Sequence, residues 1–539
     1  LSRCADVSAL TADVAPPEDP RAATRVQGLR ETLARAKAQE DAGRYTAALA
    51  TLEPVMKEAE TLAYPPLVAE TALRQGSAQM EAGEFTAADA SFDRALWTAI
   101  ASDHDTVAAQ SASKRLFLRA VRMGRLDEAK AEIPLAQALS DHVAAAIELR
   151  AEFLNNLGTL YFVAADLEHA DAALRSALAL RDAHGQHETI DQASTLANLG
   201  YAAMIWGRER EATEHLTKAL ALAERALGTQ HPMVCRIQST LGGALAKRGK
   251  VTQARELLQG LLDHHDSRCL EGSLSADLNL GNIAFELRDF NSARRYFDGA
   301  RQISAEHPDL TDISLNQSLL RLGNVLAATG DRDGARAQFE RTLTRIEAQF
   351  GKDHPEFGNA ELFYGDALVQ LGQPEEALAR FARGAQRCTG AEAPSDLNCV
   401  DLEFSRALAL EKLGRLDAAE AGLRAALGNY ERSQGTEAMT SLLAAKALGE
   451  LLLERRRFDE AAGLLRRAEN GYAAIADSDY PKLAEARLAL AKALTGDAAT
   501  ASDEARGFAR QALDVFTARG EPFAVEAKDA ADWLAAHGG

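Results

Sequence analysis

Aromatic residues make up only 6% of this 539-residue chain, and it carries 14 Pro and 38 Gly. That scarcity excludes a collagen-like or low-complexity chain and leaves little material for long linkers. The dominance of Ala, Leu and Arg favours helices over strands. Basic residues are outnumbered, 60 against 79 acidic, for a net charge of −19. An acidic surface repels phosphate backbones and no Lys/Arg stripe offsets it, so nucleic acid is not an expected partner. No apolar run is long enough for a helix to cross a bilayer. The chain begins at Leu1 without signal-peptide character, which reads as a fragment or processed product of something longer. At roughly 150 residues per domain the length suggests three or four domains.

Chemistry-bearing motifs are equally sparse. No Gly-rich loop sits on a strand, no His-Arg-Asp loop occurs, and Phe297-Asp298-Gly299 falls within a helical pattern. Gly243…Gly249-Lys250-Val251 has neither the spacing nor the hydroxyl of a phosphate-binding loop. His264-His265-Asp266…Cys269 lacks a second ligand pair for zinc and reads as a polar loop. No catalytic residue, metal or cofactor is expected, and this chain is not read as an enzyme.

What is abundant is self-similarity. Gly83-Glu84-Phe85-Thr86-Ala87-Ala88 recurs along the chain, with its last alanine at Ala48, Ala88, Ala129, Ala170, Ala212, Ala254, Ala293, Ala335, Ala377, Ala419, Ala461 and Ala505. The spacing between successive copies runs from 39 (Ala254 to Ala293) to 44 (Ala461 to Ala505). Twelve positions upstream stands Gly76, Gly158, Gly200, Gly242, Gly281, Gly323, Gly365 or Gly449 in eight copies. Between the two small residues the apolar spacing is helical, and Gly with a charged residue interrupts it, so each copy is a helical hairpin, helix A then helix B. Small residues let the two helices approach, and Phe92, Leu174, Leu216, Phe297, Phe339 and Phe381 fill the space between hairpins. No hairpin can bury both faces alone, so neighbours must stack. Copies 1, 3 and 10 lack the helix A glycine, and copy 12 carries an insertion at 496–503.

The pattern resembles the tetratricopeptide (TPR) repeat in the long-period form of kinesin light chains. Leu154-Asn155-Asn156-Leu157-Gly158, Ala197-Asn198-Leu199-Gly200 and the turns Leu227-Gly228-Thr229-Gln230-His231-Pro232 and Phe350-Gly351-Lys352-Asp353-His354-Pro355 carry the likeness. The resemblance implies an all-α fold: a right-handed superhelical solenoid of about twelve TPR-like hairpins with a C-terminal capping helix. Residues 1–22 read as an extended lead-in, 23–520 as the solenoid and 521–539 as the capping helix and tail. His231, His307 and His354 precede Pro in repeat register and read as turn residues. The three or four domains first suggested by length become one repeat array.

In such a stack helix A lines a concave groove for a peptide or partner helix. Candidates there are Asn155, Asn156, Phe162, Asn198, Tyr201, Asn279, Asn282, Phe285, Arg321 and Asn324. Asparagine offers donor and acceptor to a peptide backbone, and the aromatics offer pockets. The alternative is that the asparagines bond to a neighbouring helix and Phe285 is core. Lys114 and Arg321 stand isolated, which disfavours a clamp for a terminal carboxylate. The expected partner is a protein or peptide, and a monomer is favoured. A scaffold or self-associating role is the competing reading, and an array of a signalling ATPase or transcriptional regulator is another.

Five cysteines remain. Cys388 and Cys399 flank one inter-repeat loop, and Cys235 and Cys269 bracket copy 6, so each pair can approach disulfide distance or stay as free thiols. The segment Arg3-Cys4-Ala5-Asp6-Val7-Ser8-Ala9-Leu10, followed by Pro16-Pro17-Glu18-Asp19-Pro20, is similar to a junction in myxobacterial-type serine/threonine kinases. That likeness implies the sensory or docking region of a membrane-anchored kinase, extracytoplasmic and hence favouring bridges. Otherwise a cytoplasmic location is expected.

Overall fold

The computed structural model describes residues 14–143, 146–164, 166–185, 189–263, 267–307, 312–352, 354–388 and 396–538. Among them are 25 α-helices with a few short 3-10 and π turns, and no strand. They alternate as helix A and helix B through twelve repeats, from Pro20–Asp41 and Tyr45–Thr61 to Pro481–Thr495 and Asp503–Arg519. A last helix, Ala524–Ala536, follows. The fold is an all-α solenoid of TPR-like hairpins. The cluster His264-His265-Asp266, Cys4 and the Arg3–Leu10 part of the kinase-like stretch lie outside the described residues.

The periodic small residues work by steric exclusion. In repeat 9, a Cβ on Gly365 of helix A would stand 2.2 Å from the ring of Phe381 on helix B. In repeat 2 the same position, Gly76, lies against Phe92, and an added Cβ would reach 2.7 Å from its ring. Both rings are essentially inaccessible to water, as are the repeating alanines such as Ala88 and Ala377. Repeat 10 has Ala407 where others carry Gly, and the deficit is made good on helix B: Gly422 faces the Ala407 methyl. Closest approach therefore needs one glycine per hairpin, on either helix.

Repeat 3 also lacks the helix A glycine. There Asp105–Phe117 runs into a five-residue π turn, Leu118–Arg122. Arg115 and Arg119 share Glu132, at 2.5 and 2.6 Å, and reach Asp93 and Asp89 on helix B of repeat 2. Charged bonds replace close packing at this weak copy.

Turn chemistry is local. Helix A usually ends at a Gly with positive φ, such as Gly83 at 84°. Repeats 7 and 11 place Arg288 and Arg456 there, at 59° and 60°. Asp166, Asp289 and Asp331 cap the following helices by accepting a backbone N–H. The His-Pro turns do the same: Nδ1 of His231 accepts from Met233 N–H and Nδ1 of His354 from Glu356 N–H, each at 3.2 Å. Pro at the first helical position costs no bond there.

The chain divides into two compact units, Leu1–Ala202 with His215–Ile237, and Ala203–Glu214 with Gln238–Gly539. Within the first, the Gly43 turn lies against Pro232 and His231. Within the second, three such turns dock on loops far along the chain. Gln434 Nε2 donates to Ile205 O (2.8 Å), Asp477 N–H to Gly249 O (3.0 Å) and Arg288 to Pro522 O (2.7 Å). Gly207, at φ 69°, leaves no room there: a Cβ would be 2.8 Å from that of Ala438. The last helix belongs to this unit, burying Ala530, Trp533 and Leu534 against Leu488, Phe516 and Phe523.

Candidate functional site

Helix A side chains form the inner wall of each unit, and the two walls differ. In the first unit the carboxylate of Glu70 receives Arg30 through two bonds, 2.6 and 3.0 Å, and lies 3.3 Å from His104. Lys114 pairs with Glu152 at 2.9 Å, and Gln110 donates to the same carboxylate at 3.1 Å. Burial pushes the carboxyls of Glu70 and Glu152 up, but these partners outweigh it and hold both below the usual range. Each partner comes from an adjacent repeat, so the wall is cross-braced.

The asparagines of this unit belong to the same bracing. Asn156 Nδ2 donates to Ser113 Oγ (3.0 Å), and Asn198 Nδ2 to Asn155 Oδ1 (3.0 Å) and Thr159 Oγ1 (3.4 Å). Asn155 and Asn156 are buried. Phe162 and Tyr201 meet edge-on with centroids 5.3 Å apart, and Tyr201 keeps 45% of its surface in water. Their exposed edges are the apolar feature this wall offers a ligand.

Among the described residues of the second unit, Asn279 is used in that way, donating to Ser239 O at 3.2 Å. Asn282 and Asn324, one repeat apart at the same register, hold buried amide oxygens without a hydrogen-bond partner among the described residues. Leaving a buried acceptor unmade costs about 1–3 kcal/mol, so such atoms call for an explanation. Arg321 lies over the Phe363 ring, 4.4 Å from its centroid, and makes no hydrogen bond or ion pair among the described residues. Burial pushes its guanidinium down to about 10 against the opposing influence of Glu286 and Asp366. Asp366 is itself pushed up to about 7 by burial and by Asp401, despite a hydrogen bond from Ser405 and the charge of Arg321.

The same unit holds a cavity of about 450 Å³, lined by Phe285, Phe290, Tyr480, Phe523, Arg288 and Lys482 among others. Phe285 and Phe290 pack edge-on at 5.5 Å. Lys482 pairs with Glu286 at 2.9 Å, and Arg288 holds Glu526 at 2.6 Å while lying 4.4 Å from the Phe523 centroid. The walls are thus apolar with a few fixed charges, as ligand pockets commonly are. Sequence reasoning picked out Phe285 but not Tyr480 or Phe523. Those two stand roughly two hundred residues away and carry no periodic signal linking them to repeat 7.

Cys388 and Cys399 form a disulfide with Cα atoms 5.7 Å apart, and Cys235 and Cys269 are each disulfide-bonded. Among the described residues no group of three or more His, Cys, Asp or Glu is placed to hold a metal ion, and no helix is long and apolar enough to cross a membrane.

The tetratricopeptide-repeat family matches residues 33–105, 191–264, 239–308 and 314–389. A kinesin light chain-related protein from Arabidopsis thaliana is 24% identical over 306 residues, covering 55% of this chain. The match covers 46% of that relative, so this chain spans about half its length. Among solved structures, a Rap protein complexed with Competence and Sporulation Factor superposes with a TM-score of 0.51 at 14% identity, over 76% of this chain and 98% of that one. The apo quorum sensor NprR from B. thuringiensis gives 0.50 at 9% identity, over 75% and 99%. At these identities the likeness is one of fold. By its repeats and its helical array, this chain is built of tetratricopeptide repeats and is similar, over about half its length, to a kinesin light chain-related protein.

Proposed function

We propose that this chain is a recognition module that binds a protein or peptide segment along the inner wall of its second unit. The observation that carries the reading is an aromatic cavity of about 450 Å³ in this unit, together with Arg321, which has no ion partner among the described residues. An anchor side chain fits such a cavity, and the guanidinium can donate to a carbonyl or carboxylate of the ligand. The Rap neighbour, solved with a bound factor, is an example of this fold engaging a ligand. Hydrogen exchange with a selected peptide ligand tests the reading. Protection is expected on Leu270–Glu286, Asp312–Ala328 and Pro355–Gln370. Protection confined to helix B surfaces would overturn it.

The likeness of the amino-terminal segment to kinase junctions supports a docking role beside a serine/threonine kinase domain in a longer protein. The oxidised cysteines favour an extracytoplasmic location for it, since disulfides persist in oxidising compartments. A scaffold role is the second reading, favoured by Trp97 and Ile100, 53% and 38% exposed on Phe85–Ala101. Sedimentation separates the two: a ligand-free monomer argues against the scaffold.

A further inference from the structure

We propose that the aromatic cavity of the second unit is a site for an uncharged small molecule of two or three aromatic rings. This goes beyond the recognition reading above, because it gives the cavity a ligand class of its own.

Size sets the first limit. The cavity measures about 450 Å³, roughly three times the ~150 Å³ of an apolar cavity that takes up benzene. An indole, the largest apolar group a side chain can bring, fills only about half of that space. A single anchor residue therefore leaves room that a larger ring system occupies. The lining is graded in depth. Glu286 and Gln370 are exposed and mark the mouth, Phe285 and Phe290 are half-buried along the sides, and Tyr480 and Phe523 are almost fully buried at the base.

Charge sets the second limit. Glu286, Arg288, Lys482 and Glu485 line the cavity, and each already has an ion partner within the protein. Lys482 pairs with Glu286 at 2.9 Å, Glu485 with Lys446 at 2.9 Å and Arg288 with Glu526 at 2.6 Å. Carbonyls at the nearby helix ends are spent too: Ile283 O accepts from Leu287 N–H, Phe285 O from Arg288 N–H and Ala327 O from Gly330 N–H. An ionic ligand entering here loses its water and finds these counter-ions engaged, a cost that a neutral ligand avoids. The Gln370 amide offers a neutral ligand a hydrogen bond at the mouth.

The rings select among neutral ligands. Phe285 and Phe290 meet edge-on at 5.5 Å, and Arg288 lies over Phe523 at 4.4 Å. Such walls favour a flat aromatic guest, which can add further edge-to-face and offset contacts. Phe285 and Phe290 belong to repeat 7, whereas Tyr480 precedes the first helix of repeat 12 and Phe523 lies in the turn before the last helix. A guest touching both sets braces two stretches far apart along the chain.

The test uses the full chain and a matched pair of fluorescent probes. N-phenyl-1-naphthylamine is uncharged, and 1-anilinonaphthalene-8-sulfonate carries the same rings with a sulfonate added. The neutral probe is expected to saturate one site and to bind at least tenfold more tightly than the sulfonate. Ala328→Trp, which places an indole in the cavity, should weaken its binding at least tenfold. Trp97→Ser, which removes an exposed apolar ring from the first unit, should leave binding unchanged. Glu286→Gln takes the anion from Lys482 and should narrow the gap between the probes at least threefold, a change of preference that loss of structure cannot mimic. Circular dichroism checks that each variant is folded. Absence of saturable binding, equal binding of the two probes, or loss of binding in Trp97→Ser would overturn the inference, as would full binding by folded Ala328→Trp. Should Ala328→Trp not fold, an unchanged gap in Glu286→Gln overturns it instead.

Discussion

The inner walls of the two units are built from the same helix and the same register, yet they spend their polar groups differently. In the first, Arg30–Glu70, Lys114–Glu152 and the bonds from Asn156 to Ser113 and Asn198 to Asn155 tie each repeat to the one before it. In the second, among the described residues, Asn279 repeats that asparagine bond and Lys446 pairs with Glu485 of the next repeat, while Arg321 has no ion partner and the amide oxygens of Asn282 and Asn324 have no hydrogen-bond partner. Where charges and amides are paired across repeats, the wall gains rigidity and has less to offer a ligand. A buried amide oxygen left without a partner gives up some stability. The difference lies in which residues neighbour each other across repeats, since the helices themselves are alike.

The largest expected effect is on stability. Lys114→Met strands Glu152 in the first wall and should cost about 2 kcal/mol, discounted from the 3–5 typical of a fully buried pair. Arg321→Met should cost nothing or stabilise slightly, because no ion pair is lost. Denaturant midpoints check this, and equal costs would break the comparison. Next come the turns. Gly207→Ala introduces a Cβ into the Ala438 contact of the second unit and should cost well over 1 kcal/mol, the scale of the backbone strain alone. Gly124→Ala in the first unit has the same positive φ with nothing within 4 Å, so only that strain should register. Thermal melts of the two variants should differ accordingly.

A smaller contrast lies in the asparagines. Asn198→Ala removes two hydrogen bonds and should cost about 1 kcal/mol, whereas Asn324→Ala relieves an unpartnered oxygen and should be neutral without ligand. Tm measurements decide, and a cost for Asn324→Ala equal to that for Asn198→Ala would argue that its oxygen is bonded after all.

The smallest effect is in pH. Glu70 and Glu152 have lowered folded values, so their contribution is present above about 4.3 and is lost as pH falls further. Asp277 and Asp366 are pushed up to about 7 by burial, so the folded chain holds protons that the unfolded chain releases above about 4. Their contribution is greatest in acid and is lost as pH rises from about 4 to about 7. Acidification from pH 7.5 to 5 should therefore raise hydrogen-exchange protection of Leu270–Glu286 and Pro355–Gln370 and leave Ile147–Val163 unchanged. Asp277→Asn should flatten the response of the first of these helices.

Much of the hairpin architecture was legible because it is local. A glycine twelve residues before an alanine, with Phe or Leu four residues after it, specifies one close contact between sequential helices. Gly76 with Phe92 and Gly365 with Phe381 show that contact. The exchange of this glycine to Gly422 in repeat 10 was missed because it lies off the repeating register. The asparagines were legible as helix A residues but not in their use. Whether Asn198 bonds to Asn155 or awaits a ligand depends on what stands some forty residues earlier. Arg321 was visible as an isolated cation, but its isolation became informative only once Glu286 was found engaged with Lys482.

By itself the sequence determined the helical period, the hairpin, its turns and its close-packed positions, because these arise from contacts within one repeat and from backbone preferences that act over a few residues. The tertiary structure alone decided which polar groups are spent and which are free, and brought Tyr480 and Phe523 to the side of Phe285 and Arg288. Those outcomes depend on burial and on partners distant along the chain, and neither leaves a periodic trace in the order of residues.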